Sequence, residues 1–218
     1  MASSGLEIER AYFTFDESEL KGRLKGVARH DGEYLFRAMA FKPTTTDMTT
    51  MRVRDEGTRV TMTIKRTAAE SRYDLEDEVE VSDFDTTVKM LELMGMQKLY
   101  YVEKLRDIWE TDRVQIVFDT YPGLPAYLEI EGQTEESVVS LESVLGLAEA
   151  QNDARGLYEQ HYGITQDRPT DDLSFTTAGT VMEKYITHDR DTFDSRLADQ
   201  RERVAILVAK KAAGDLRK

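Results

Sequence analysis

Leu75-Glu76-Asp77-Glu78-Val79-Glu80-Val81 reads as a strand whose charge lies on one side. Successive side chains of an extended chain point to opposite faces, so Glu76, Glu78 and Glu80 stand together, about 6 to 7 Å apart, with Leu75, Val79 and Val81 behind them. The same pattern recurs on both sides of this stretch. Val60-Thr61-Met62-Thr63-Ile64-Lys65 aligns two threonines with Lys65, Met51-Arg52-Val53-Arg54 aligns two arginines, and Leu6-Glu7-Ile8-Glu9-Arg10-Ala11-Tyr12-Phe13 aligns Glu7 with Glu9. Downstream, Val102-Glu103-Lys104-Leu105-Arg106 pairs Lys104 with Arg106, Arg113 to Asp119 largely alternates, and Tyr127-Leu128-Glu129-Ile130-Glu131 pairs Glu129 with Glu131. With a weaker segment over Tyr34 to Phe41, about eight strands are expected.

Amphipathic helices separate some of them. Glu17 to Ala28 follows Asp16 as an N-cap and carries Leu20, Leu24 and Val27; Phe84 to Gly95 carries Val88, Leu91 and Met94; Glu135 to Leu147 follows Thr134 and carries Val138, Leu141 and Leu145. A shorter helix is expected over Asp153 to Tyr162. Met90, Met94 and Met96 read as helix packing. Residues 1–163 form the body, and 164–218 form a more polar extension with a loop at Arg168 to Asp172 and a helix over Thr192 to Lys211.

The 218 residues hold 29 Lys and Arg against 42 Asp and Glu, a net charge of −13, with 40% hydrophobic residues. The acidic balance argues against duplex nucleic acid as a partner, and the apolar fraction suffices for a core. Cysteine is absent, which removes disulfides, thiolate catalysis and Cys-ligated zinc. No leader-like apolar stretch and no run near the length of a membrane span occurs, so a cytoplasmic protein without membrane contact is expected. His30, His161 and His188 form no zinc motif, and the early glycines form no Walker or dinucleotide loop.

Charge on a single strand is ordinarily a solvated face. Here cation pairs and carboxylate pairs alternate among strands whose apolar faces are needed by the helices. Closing about eight antiparallel strands into a barrel would enclose a polar lumen, and such a lumen needs both signs, because isolated buried charge is strongly unfavourable. A polyphosphate with a divalent metal uses both: Arg and Lys bind phosphate oxygens, and carboxylates hold Mg²⁺ or Mn²⁺.

Glu7-Ile8-Glu9, Arg52-Val53-Arg54, Thr63-Ile64-Lys65, the acidic strand ending at Glu80, Lys104-Leu105-Arg106, Asp119 and Leu128-Glu129-Ile130-Glu131-Gly132 occur in an order that resembles the CYTH superfamily of triphosphate tunnel metalloenzymes. That group includes class IV adenylate cyclases, thiamine triphosphatases and inorganic triphosphatases, and the resemblance covers about Leu6 to Gly163. It implies an α+β fold, an eight-stranded antiparallel closed tunnel barrel with covering helices. It also implies a metal-dependent enzyme acting on ATP, thiamine triphosphate or inorganic triphosphate, by hydrolysis or by cyclisation, as a monomer or homodimer. By the resemblance Glu7, Glu9, Glu129 and Glu131 are catalytic and hold the metal, with Glu78, Glu80 and Asp119 as further metal ligands. Arg52, Arg54, Lys65, Lys104 and Arg106 would clamp phosphate, with Arg72 and Arg113 as extra candidates.

One position departs from the pattern. The family's opening motif is E-x-E-x-K, and the Lys position here is Ala11; Arg10 lies on the opposite face of the strand. The alternative function is therefore a triphosphate- or nucleotide-binding protein with attenuated catalysis.

Overall fold

The computed structural model describes residues 3–6, 8–69, 73–147, 156–164 and 172–215, with residues 3–6 described for their backbone alone. The chain opens with β1 (Ser3–Leu6), β2 (Ile8–Tyr12) and α1 (Glu17–Leu24). Four strands follow, β3 (Arg29–Phe41), β4 (Met48–Asp55), β5 (Val60–Thr67) and β6 (Asp74–Val81), and then α2 (Phe84–Leu93). Next come β7 (Lys98–Glu110), β8 (Val114–Thr120), β9 (Tyr127–Gly132), α3 (Glu135–Leu145) and α4 (Leu157–Tyr162). The C-terminal part holds β10 (Asp172–Leu173), α5 (Ala178–Met182) and α6 (Arg190–Ala213).

The strands hydrogen-bond in the order β1-β6-β5-β4-β3-β7-β8-β9-β2, with the two-residue β10 added in parallel beside β7. All other pairings are antiparallel. The two edges of this ladder, β1 and β2, are consecutive in the chain. Leu6 and Ile8 are two residues apart, so their Cα atoms are no more than about 7 Å apart. The N-terminal run thus pairs with β6 through its first half and with β9 through its second, and the sheet curls into an eight-stranded tunnel closed by chain continuity.

Three apolar clusters lie outside this tunnel, between its outer face and the helices. Trp109, Ile116, Phe118, Leu128 and Ile130 pack under Leu20 and Leu24 of α1 and Val138, Leu141 and Leu145 of α3. Phe41, Met51 and Val53 pack under Phe84, Val88 and Leu91 of α2. Leu105 and Leu124 pack with Leu157, Tyr158 and Tyr162 of α4 and with Phe193, Leu197 and Leu207 of α6. Period-two alternation therefore sends the apolar half of each strand outward to the helices, leaving the charged half inside.

The helix starts are set by side-chain caps: Asp16 accepts from the Glu19 amide at 2.8 Å, Asp83 from Thr86 at 2.7 Å and Thr134 from Ser137 at 3.2 Å. Three expected packing residues are not packed. Met90 and Met94 of the α2 segment are exposed, and Met96 alone of that trio joins the core, because the face toward the barrel is filled by Phe84, Val88 and Leu91. Val27 lies past the end of α1 and is also exposed.

Candidate functional site

Small neighbours make room for the arginines of β4. Arg52 stands between Ala40 of β3 and Thr63 of β5, and Arg54 between Ala38 and Thr61, so both guanidinium groups extend into the lumen without a large side chain beside them in register. Lys65 of β5 lies opposite Glu76 of β6, and Thr63 lies opposite Glu78. Across the tunnel β7 supplies Lys104 and Arg106, with Asp119 of β8 opposite Arg106. The N-terminal strand places Glu9 opposite Glu131 and Ala11 opposite Glu129.

These side chains share a cavity of about 700 Å³. Arg52, Arg54, Lys65, Lys104 and Arg106 line it, together with Glu9, Glu78, Glu129 and Glu131. Arg113 stands at the exposed rim. Two expected site residues are placed elsewhere: Asp119 is fully buried behind the cations, and Glu80, of the same strand parity, is exposed toward the end of β6 beside a separate surface cleft. Glu7 and Arg72 lie outside the described residues.

Asp119 anchors two of the cations. Its Oδ2 is 2.5 Å from Lys104 Nζ, and its two oxygens accept from Arg106 Nε at 2.7 Å and Nη2 at 2.5 Å. Arg106 Nη2 also donates to Glu129 Oε2 at 2.9 Å. Burial would raise the Asp119 carboxyl, but Arg106 and Lys104 beside it hold it well below the usual carboxylate range. Burial, aided by Arg106, pushes the Lys104 ammonium down to about 8 against the opposing pull of Asp119.

On the facing wall, Arg54 reaches Glu56 Oε1 at 2.6 Å and Glu78 Oε2 at 3.5 Å, and Lys65 reaches Glu76 at 3.5 Å. Burial and the neighbouring charge of Arg52 push the Arg54 guanidinium down. Arg52 itself has a buried Nε with no hydrogen-bond partner. A buried donor on a charged group left without an acceptor is costly, and anionic oxygens entering the cavity would satisfy it.

The acidic side suits a hard divalent cation in its donors. Glu9 and Glu131 are direct cross-strand partners, a position where like charges repel unless a cation lies between them, and both offer only oxygen. Among the described residues no three acidic or histidine side chains are already drawn together as a cation site, and Glu129 is turned toward Arg106. Arg10 points the other way, to Glu142 at 2.9 Å and Glu135 at 2.8 Å on α3, so no cation from β2 replaces the one missing at Ala11.

Sequence reasoning passed over Glu56 and Arg59. They bracket the turn between β4 and β5, where Glu56 bonds both Arg54 and Arg59 (2.7 Å) and its amide donates to the Arg59 carbonyl at 2.9 Å. Alternation stops at a turn, so strand periodicity carried no signal there; the charges directly following Arg-x-Arg were the available one. Tyr121 and Tyr127 also line the cavity, their rings stacked at 6.0 Å.

The CYTH domain family model matches residues 34–157. A Pyrococcus horikoshii protein of solved structure aligns at 21% identity with a TM-score of 0.58, covering 66% of this chain and 94% of its own. A conserved hypothetical protein from Pyrococcus furiosus aligns at 18% identity and 0.59, covering 69% and 99%. A proposed adenylate cyclase from Vibrio parahaemolyticus aligns at 18% identity and 0.59, covering 69% and 95%. These likenesses are of fold. No curated protein matches the chain.

Proposed function

This chain belongs to the CYTH domain family, and on that premise we propose that it is a metal-dependent phosphohydrolase cleaving the terminal phosphoanhydride of a triphosphate held in the tunnel. The observation that carries the reading is Arg52, half-buried with a buried Nε that lacks a partner, in a cavity shared with Arg54, Lys65, Lys104 and Arg106. Five cations on three strands surround a space large enough for a run of phosphates, and phosphoryl transfer asks chiefly for positioning and charge neutralisation. In the reaction water attacks the terminal phosphorus, the bond from that phosphorus to its bridging oxygen breaks, a diphosphate leaves, and the proton from water passes to solvent. Glu9, Glu129 and Glu131, with Glu7 by the family pattern, would hold the metal. When bound, Mg²⁺ or Mn²⁺ supplies charge neutralisation and polarisation at the phosphoryl oxygens.

The substrate class is ATP, thiamine triphosphate or inorganic triphosphate. Hydrolysis is favoured over cyclisation because cyclisation also needs a nucleoside gripped with its ribose hydroxyl in line, whereas the apolar and aromatic lining is confined to Phe36, Ile108, Val114, Tyr121 and Tyr127. Ala11 supports one alternative, a triphosphate-binding protein with attenuated catalysis, since it leaves the lumen position opposite Glu129 without a cation. The deciding experiment incubates each of the three triphosphates with Mg²⁺ and with Mn²⁺ and resolves phosphate, diphosphate and cyclic AMP. Phosphate release that requires metal is expected. Tight triphosphate binding without any product would reject the hydrolase reading in favour of the binding one.

A further inference from the structure

The family match ends at residue 157, yet a residue far beyond it holds part of the tunnel wall in place. Tyr121-Pro122-Gly123-Leu124 is a tight turn between β8 and β9: the Leu124 amide donates to the Tyr121 carbonyl at 3.0 Å, and Gly123 takes φ +77°, with proline and glycine at the positions a type II turn requires. The first residue of this turn, Tyr121, lines the cavity, and its ring centroid is 6.0 Å from Lys104 Nζ. The turn's backbone is buried, so its polar groups need partners from elsewhere. They come from the C-terminal helices. Gln200 of α6, 3% exposed, accepts from the Gly123 amide through Oε1 at 2.7 Å and donates from Nε2 to the Leu124 carbonyl at 2.8 Å. Tyr158 Oη donates to the Pro122 carbonyl at 2.8 Å, and Tyr162 Oη to the Gly123 carbonyl.

We propose that Gln200 is a positioning residue for the triphosphate site: by bonding the Gly123 amide and the Leu124 carbonyl from outside the barrel, it fixes the turn that holds Tyr121 against Lys104 in the tunnel. An amide side chain carries an acceptor oxygen and a donor NH2 group, and each is engaged here by one group of the turn. Leucine is apolar and can satisfy neither group, leaving a buried N–H and C=O unpaired. α6 is thereby part of the site's construction, tied also to β3 through Arg203 and Glu33 and to the β4–β5 turn through Lys211, 3.0 Å from Asp55.

The proposal rests on the tunnel being the triphosphate site, and its test separates the two claims. In the full chain, Gln200→Leu is compared with Arg201→Ala, which removes different α6 anchors, the bonds to the Phe175 and Thr176 carbonyls. Gln200→Glu keeps an acceptor for the Gly123 amide but sets a carboxylate oxygen against the Leu124 carbonyl, so it too should speed exchange at the turn. Amide exchange at Gly123 and Leu124, read without ligand, should be about tenfold faster in Gln200→Leu than in the wild type and unchanged in Arg201→Ala. Inorganic triphosphate should bind about tenfold more weakly to Gln200→Leu, well below its unfolding temperature, and with wild-type affinity to Arg201→Ala. Unchanged exchange at the turn, or equal loss of affinity in both variants, overturns the positioning role. Failure of the wild type to bind inorganic triphosphate overturns the site reading instead, with the exchange comparison still deciding what Gln200 holds.

Discussion

Arg52 and Lys104 set the electrostatics of the tunnel in different ways. Arg52 has a buried Nε without a partner and pushes its neighbour Arg54 down, so it costs the ligand-free protein stability. Arg52→Met should leave the unfolding temperature unchanged or raised while weakening inorganic triphosphate binding by about 10- to 100-fold; thermal unfolding and calorimetry read both. Lys104 titrates near 8, below the ordinary lysine value of about 10.4. Between these values the unfolded chain holds a proton the folded one has released, so the stability of the ligand-free protein rises with pH across that window and is flat in this respect below it. Binding runs in the opposite sense: triphosphate affinity should fall as pH climbs through about 8, and Lys104→Arg, which keeps its charge, should flatten that limb. Affinity measured from pH 7 to 9.5 checks the sign.

Elements made this fold legible because strand periodicity and lumen charge coincide. Glu76 with Glu78, Arg52 with Arg54, and Glu129 with Glu131 each mark one face of a strand, and all six line the cavity. The exposed Glu80 shares their parity and departs from the wall near the end of β6, which periodicity alone does not foresee. Asp119 reads from sequence as a metal ligand, yet burial behind Lys104 and Arg106 uses both its oxygens. Strand periodicity gives no sign of Glu56, Arg59 or Gln200 for a physical reason: turns break the alternation, and a helix glutamine gives no local sign that its amide will meet a turn 77 positions away. Close packing of elements gives a further expectation. A Cβ on Gly132, at the end of β9, would come within 2.8 Å of Ser137 Oγ and Val138 Cγ2 on α3 and 2.9 Å of Val114 Cγ1. Gly132→Ala should therefore force α3 off the barrel and cost about 1–3 kcal/mol, read by urea unfolding.

At the scale of the molecule, a chain of net charge −13 gathers cations where its helices and outer core cannot reach. The apolar clusters lie outside the barrel and the ion pairs of Arg54, Lys65, Lys104 and Arg106 inside it, so the lumen is polar while stability is supplied by burial against α1, α2, α3 and α6. No helix among the described residues is long and apolar enough to cross a membrane. The measurement that tests the central claim most directly is a crystal structure of the protein with inorganic triphosphate and Mn²⁺, using the anomalous signal of manganese. The account predicts phosphate density in contact with Arg52, Arg54 and Lys104 and a manganese peak beside Glu9 and Glu131. Triphosphate bound elsewhere, or a tunnel holding neither ligand at saturating concentration, would contradict it.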